Sequence, residues 1–456
     1  MTTIGITGRA AAAALALAAA AHPGLAGAGP GQFDERKTTP AQLDLAVERT
    51  TLPNGLTLVL APDARGTSVA VWTSFRAGAV FEPPGRAGLA HLAEHVFASG
   101  PTPETDYATL LETRRARHFN ASTGHDVMTF EAVVPAEELA AALWVAADRL
   151  GTLPALVDAP LVARHRRVVE QERAVRVMDA PYGQVQEQLA ARLFAAPHPL
   201  HAGVVGSLAE LAAITPEDVR AFAATYLVPS NAVVVVAGRF DPAEARRLVE
   251  EGLGRLPAGR RVPAPRLPSP DGGYVDRRAE PFAREPRVTL AWRFPDLSHD
   301  DGLALQMGAR LLSFMTDGAF GMRVAAGLEE YGGESIFRLD VTVPYDESML
   351  SMENDAEALL RFLTHREMPV ELIRAAHLSL DRSALLALDD VAGRAELLTH
   401  LEHLPPPRLP VARHLGWHWQ LDRLALRDVA RIHLRQPKVV MHARPVRPKA
   451  ARAERE

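Results

Sequence analysis

Two histidines and a glutamate lie within one helical turn in Gly88-Leu89-Ala90-His91-Leu92-Ala93-Glu94-His95-Val96-Phe97. Read as a helix, this stretch projects His91 and His95 from the same face. Two neutral imidazoles at that spacing can hold one zinc ion. Glu94 precedes the second histidine, so its carboxylate falls beside the ion, where a base must stand to take a proton from a water on the metal. The order His-x-x-Glu-His inverts the commoner zinc-protease motif and is itself a metallopeptidase signature. Leu89, Leu92, Val96 and Phe97 give the helix an apolar side for docking into a core.

Other elements must hold that helix. Upstream, Thr50 to Leu60 reads as two short strands joined at Asn54-Gly55, a strong hairpin signal, and Ser68 to Phe75 as another strand. Downstream come a helix near Asp106–Thr113, strands at Arg117–Ser122 and Val127–Val134, and helices at Ala136–Leu150, Ala159–Val177 and Gly183–Phe194. Thr215-Pro216-Glu217-Asp218 opens a helix with an N-cap, an N1 proline and two first-turn acids. Asn231 to Gly238 is a buried-type strand, and Pro242–Leu253 a helix. Residues 257–273, with five prolines and three glycines, read as a linker. Beyond it the plan repeats: a strand at Val288–Arg293, a helix at Asp300–Leu312, a strand at Ser335–Val343, helices to about Leu434, and a strand at Val439–Met441. Asp428-Val429 mirrors Asp218-Val219 as the opening of the helix before the closing strand. The expected fold is α+β: two homologous α/β-sandwich halves, duplicated, with helices packed on mixed or antiparallel sheets. The boundaries are 45–256 for the catalytic half and 274–445 for a half without the zinc motif.

The chain has 456 residues, 47% hydrophobic and 23% charged, with a net charge of −5. That length calls for more than one core, and the charge gives no reason to expect a nucleic-acid partner. Residues 1–28 place Arg9 before an Ala/Leu run and a small-residue ending at Ala26 or Ala28, the layout of a cleaved signal peptide. No later run is long enough to span a membrane. The absence of cysteine rules out disulfides and a cysteine lipid anchor. Export to the periplasm or medium is the expectation.

A catalytic zinc takes a third protein ligand and leaves one position open. The candidate donors are Glu170 and Glu172 in Arg166-Arg167-Val168-Val169-Glu170-Gln171-Glu172-Arg173. Two positions apart, they face different ways, and helix geometry alone leaves the choice open.

Along nearly all of 45–445 the chain resembles the pitrilysin/insulinase family of zinc metallopeptidases, in the short two-domain bacterial form similar to mitochondrial processing peptidase subunits. The resemblance rests on Leu52-Pro53-Asn54-Gly55-Leu56, Arg76-Ala77-Gly78 with Glu82, the His-x-x-Glu-His helix, Asn120-Ala121-Ser122-Thr123 with Thr129, Arg167 to Glu172, and Pro229-Ser230-Asn231-Ala232-Val233 running to Ala237-Gly238. It implies Glu172 as the third ligand. The family usually carries a supporting glutamate two turns earlier; here that position is His165, whose ring could hydrogen-bond a ligand. It also implies that Asn120 and Ala121 lie on an edge strand to which an extended substrate adds by β-augmentation.

The implied activity is zinc-dependent endoproteolysis of peptides or unfolded segments, with Glu94 as general base. The alternative is a non-catalytic subunit of a peptidase-like assembly. The family encloses substrate between two shells, so the chain is expected to pair with itself or with a related subunit. The family's second half carries an arginine and, seven positions later, a tyrosine that reach the substrate. Here Arg323 matches, but Tyr331 comes one residue late with Glu330 in its place. Either a local bulge absorbs the extra residue, or a partner supplies the pair.

Overall fold

The computed structural model describes residues 45–446 apart from 101–105, 195, 197, 261–273, 296, 315–321, 332–333, 344–347, 365–367 and 405–410. The expected leader and most of the expected linker lie outside the described residues. Two sheets organise the rest. The first comprises β1 (Glu48–Thr51), β2 (Thr57–Pro62), β3 (Ser68–Phe75), β4 (His118–Thr123), β5 (Met128–Pro135) and β6 (Ala232–Gly238), in the order β1-β2-β6-β3-β5-β4. The second comprises β7 (Tyr274–Glu280), β8 (Arg287–Pro295), β9 (Arg323–Tyr331), β10 (Glu334–Thr342) and β11 (Val439–Pro445), in the order β7-β11-β8-β10-β9.

Setting β1 aside, the two orders are the same. β2 runs parallel to β6 as β7 does to β11, and every other pairing is antiparallel in both sheets. The helices follow suit. In the first half the helices with counterparts in the second are α1 (Leu89–Ser99), α2 (Leu139–Gly151), α3 (Ala159–Arg173), α4 (Gly183–Leu193) and α5 (Pro216–Tyr226). Their counterparts by position are α6 (His299–Ser313), α7 (Met349–Leu363), α8 (Val370–Asp389), α9 (Val391–His403) and α10 (Arg423–His433). The duplication read from the sequence is therefore visible strand by strand. Among the described residues no helix is long and apolar enough to cross a membrane.

Local chemistry explains the strand positions. β3 and β6 are buried along their whole length, and their runs of small and β-branched residues suit strands covered on both faces. β4 alternates exposed with half-buried, as an edge strand with one packed face does. Asn54-Gly55 turns β1 into β2 with Gly55 at φ 86°.

Each half lends the other a helix. α9 covers the outer face of the first sheet, where Ala395 and Leu398 pack with Trp72, Val133, Val233 and Val235. Its end is tied down by Ser74 Oγ to His403 Nε2 at 2.8 Å and by Arg76, which donates to the His403 carbonyl at 2.7 Å. In return α4 packs on the second sheet, and Arg293 donates to the Leu193 carbonyl at 3.4 Å.

Candidate metal centre

The ligand helix α1 begins at Gly88, which sits at φ 90°. A Cβ there would meet the Val205 carbonyl oxygen at 2.6 Å, so no larger residue fits. Glycine has no side chain to cap the helix, and buried Glu82 supplies one from outside. Its two carboxylate oxygens accept from Gly88 N at 3.1 Å and Ala90 N at 2.8 Å. Burial pushes the Glu82 carboxyl well above its ordinary range. At the other end Arg149 donates through Nε to the Phe97 carbonyl at 2.8 Å, with its guanidinium 4.1 Å from the Phe130 ring centre. Both ends of α1 are thus fixed by buried ionisable side chains from other elements.

His91 and His95 project together, with Nε2 atoms 3.2 Å apart. α3 crosses α1. It is started by Asp158, whose side chain accepts from Leu161 N at 2.8 Å. It brings Glu172 Oε2 to 3.1 Å from His95 Nε2 and Oε1 to 3.7 Å from His91 Nε2. Donors on a tetrahedral zinc at ordinary bond lengths sit about 3.3 Å apart, which the two imidazoles at 3.2 Å and His95 with Glu172 Oε2 at 3.1 Å match. Glu94 completes a cluster in which its carboxylate and both imidazoles lie within 4.8 Å of one another. Glu170, the other candidate, has no contact with these rings among the described interactions.

The electrostatics suit a metal. Burial lowers the His91 imidazole to about 4 and also lowers His95, so both rings are neutral at pH 7, the form that binds a metal. His91 Nδ1 is buried with no hydrogen-bond partner. Burial raises Glu94 to about 7 in the metal-free chain, with the Thr123 hydroxyl opposing the shift. A carboxyl near neutrality can both accept and return a proton.

The other expected residues fall as follows. Asn120 and Ala121 lie on β4, the edge of the first sheet, paired with Glu131 and Phe130 on one side only. α1 packs along this strand. His165 departs from expectation: its Nε2 is 2.9 Å from Ser99 Oγ, and its ring centre is 6.5 Å from that of His95. That bond ties its ring to the last residue of the ligand helix. Arg323 begins β9, the free edge of the second sheet, and its guanidinium pairs with Glu285. The β9–β10 register runs unbroken from Arg323↔Thr342 to Tyr331↔Glu334. The expected bulge is therefore absent, since every residue of β9 finds a partner on β10. Sequence reading missed Arg149 as the clamp on α1 and Arg176, whose Nη1 is 2.7 Å from Glu172 Oε1. The four-residue spacing from Glu172 to Arg176 was the available signal.

Comparison with known proteins agrees with this architecture. Residues 57–201 match the family described as insulinase (peptidase family M16), and residues 213–342 match the peptidase M16 inactive domain. Zinc protease PqqE of Helicobacter pylori is 28% identical over 272 residues, covering 58% of this chain and 60% of that protein. The mitochondrial-processing peptidase subunit beta of Blastocladiella emersonii is 27% identical over 216 residues, covering 46% of this chain and 44% of that one. The match thus spans less than two thirds of either relative. The crystal structure of a protease from Helicobacter pylori superposes with a TM-score of 0.79 at 19% identity, over 88% of this chain and all of that one. The chain belongs to the insulinase family, peptidase family M16. Several of its relatives are named zinc proteases, and the inactive-domain match runs from the end of the first half into the second.

Proposed function

We propose that the chain is a zinc-dependent metalloendopeptidase acting on peptides or unfolded polypeptide segments. The observation that carries this reading is the convergence of His91 Nε2 and His95 Nε2, 3.2 Å apart, on the Glu172 carboxylate, with Oε2 3.1 Å from His95 and Oε1 3.7 Å from His91, and Glu94 alongside. His91, His95 and Glu172 hold the ion. A zinc ion there supplies a Lewis acid for the scissile carbonyl and makes the attacking water more acidic. Glu94 accepts the proton of that water and delivers it to the leaving amine. The open edge of β4, with Asn120 and Ala121, binds the substrate backbone as an added strand. On the second half, Arg323 on the free edge of β9 contacts the substrate from the opposite wall; with no bulge in β9 to realign Tyr331, a partner subunit supplies the second group.

The active form pairs two such chains, or this chain with a related subunit, so that the substrate is enclosed. The beta-subunit name of one relative supports a partner. The Ala/Leu run behind Arg9 supports export.

Glu94→Gln tests the reading. The variant keeps its zinc and its fold, while cleavage of a quenched peptide falls by roughly 100- to 10,000-fold, the usual worth of a positioned base. Undiminished cleavage by that variant removes Glu94 from the mechanism. A zinc-loaded parent that binds peptide without cutting it supports the non-catalytic subunit instead.

A further inference from the structure

The two oxygens of Glu172 are not equivalent. Oε2 lies 3.1 Å from His95 Nε2, while Oε1 lies 2.7 Å from Arg176 Nη1 and 3.7 Å from His91 Nε2. The frame beneath this arrangement is rigid. α3 ends at Arg173, which is buried and donates through Nε to the Gly206 carbonyl at 2.9 Å and also pairs with Glu187. The chain then continues as a π-helical turn, Ala174–Met178, a conformation that is rare and frequent at functional sites. Arg176 rides on this turn and reaches back one turn to the carboxylate.

We propose that Arg176 is a positioning residue for the third metal ligand: by gripping Oε1 it keeps Glu172 monodentate, with Oε2 presented to the ion. The inference rests on Glu172 being a ligand. A charge-assisted hydrogen bond of this kind fixes both the rotamer and the usable oxygen. The guanidinium also carries a positive charge that repels a divalent cation. Its side chain is 70% exposed while that of Glu172 is 18% exposed, so water screens the repulsion and the bond itself is the less screened interaction. Orientation wins, and losing the arginine weakens metal binding. The guanidinium also lowers the Glu94, His91 and His95 affinities for protons, which agrees with its standing beside the whole cluster.

Zinc competition titration on the full chain, with cobalt substitution as a second readout, tests the assignment without reference to turnover. Arg176→Ala raises the Kd for zinc about 10-fold, the lower end of what such outer partners contribute. Its cobalt form absorbs more weakly in the visible, as Glu172 takes up the ion with both oxygens and the coordination number rises. Arg176→Gln keeps a donor for Oε1 without the charge, and binds zinc at least as tightly as the parent. Parent-like zinc affinity with an unchanged cobalt spectrum in Arg176→Ala reduces the contact to an ordinary surface ion pair and overturns the proposal. Tighter binding in that variant also overturns it, because repulsion then outweighs orientation. A parent that holds no zinc, or holds it equally well after Glu172→Ala, defeats the ligand assignment itself and the role of Arg176 with it.

Discussion

The two halves share one connectivity and put it to different uses. α1 and α6 both follow the strand at the heart of their sheet, and both carry Gly-Leu-Ala near their start: Gly88-Leu89-Ala90 at the cap of α1 and Gly302-Leu303-Ala304 one turn into α6. Aligned there, Leu305, Gly308 and Ala309 stand where His91, Glu94 and His95 stand in the first half. Leu305 is 1% exposed, Ala309 4%, and a Cβ on Gly308 would contact Leu363 and Leu426. The second half thus fills with hydrocarbon the place where the first half keeps imidazole and carboxylate. Burying polar groups without full partners costs free energy, and at this position only the first half carries that cost. The scaffold fixes where a site can be, and a few side chains decide whether one exists.

The contrast is put to its hardest test by making the first helix resemble the second. In His91→Leu/His95→Ala the chain loses bound zinc and all zinc-dependent cleavage, the largest effect expected. The metal-free fold is as stable as the parent or firmer by about 1–2 kcal/mol, because the unpartnered His91 Nδ1 is gone. Metal content after dialysis and a thermal melt in chelator check both halves of the statement. A strongly destabilised double variant means that the histidines also hold the core together.

The second half keeps its own buried charges, and they are structural. Arg293 and Glu334 form a two-pronged pair with both contacts at 2.7 Å, and their side chains are 3% and 4% exposed. Arg293→Met leaves a buried carboxylate alone and costs about 3–5 kcal/mol in urea unfolding, whereas Arg293→Met/Glu334→Leu recovers most of it. If the single variant unfolds like the parent, the pair is solvated and the contrast between chemical and structural charge weakens.

Acid acts on the buried imidazoles of the second half as it does on those of the first. On α8, His377 Nδ1 meets His418 Nδ1 at 3.0 Å, His418 Nε2 bonds Asp381 at 3.0 Å, and Trp419 Nε1 bonds the same carboxylate. Burial, then the facing His418, holds His377 down to about 4, and His418 is lowered as well despite Asp381. Both histidines titrate lower when folded than in an unfolded chain, where about 6.5 is ordinary. The unfolded state therefore binds protons first, and stability falls as pH drops from about 6.5 to about 4. Urea midpoints at pH 7.5 and pH 5 show the loss, and His377→Leu makes it shallower. An identical pH dependence in that variant would remove the pair from the account.

Much of this was legible in the sequence where the signals are local. The Asn54-Gly55 turn, the valine run of β6 and the Thr215 N-cap each follow from a few adjacent residues, and the grouping of His91, Glu94 and His95 follows from their spacing. The two strands that were missed, β7 and β9, are both edges of the second sheet. Tyr-Val-Asp-Arg-Arg-Ala-Glu and Arg-Val-Ala-Ala-Gly-Leu-Glu-Glu-Tyr carry the charges that keep an edge from pairing further, and those charges hide the strand pattern. The clamps on α1 were invisible for another reason. Glu82 and Arg149 act across the fold, and a lone acid before two prolines or an arginine in an Ala/Leu helix says nothing of what it will touch. The exchange of α4 and α9 is likewise a fact of packing between the halves.

The smallest effect expected concerns the two free edges. β4 and β9 occupy the same place in their sheets, and a substrate held between two such walls would touch both. Arg323, at the start of β9, is 60% exposed and already engaged with Glu285. Glu285 in turn accepts from the Tyr182 hydroxyl through its carbonyl at 2.7 Å, so the arginine is oriented from the first half although it belongs to the second. Removing an exposed pair alters stability by less than about 1 kcal/mol. Arg323→Ala therefore melts like the parent and keeps its zinc. A guanidinium that contacts substrate only in its bound form lowers turnover when lost, by several-fold and not by the large factor expected of Glu94, because it neither holds the ion nor moves a proton. Tyr331→Phe, which keeps the ring and removes the hydroxyl, separates a hydrogen bond from simple shape. If peptide cleavage by both variants equals that of the parent, the edge of β9 is a passive wall and the work of the site belongs to the first half alone.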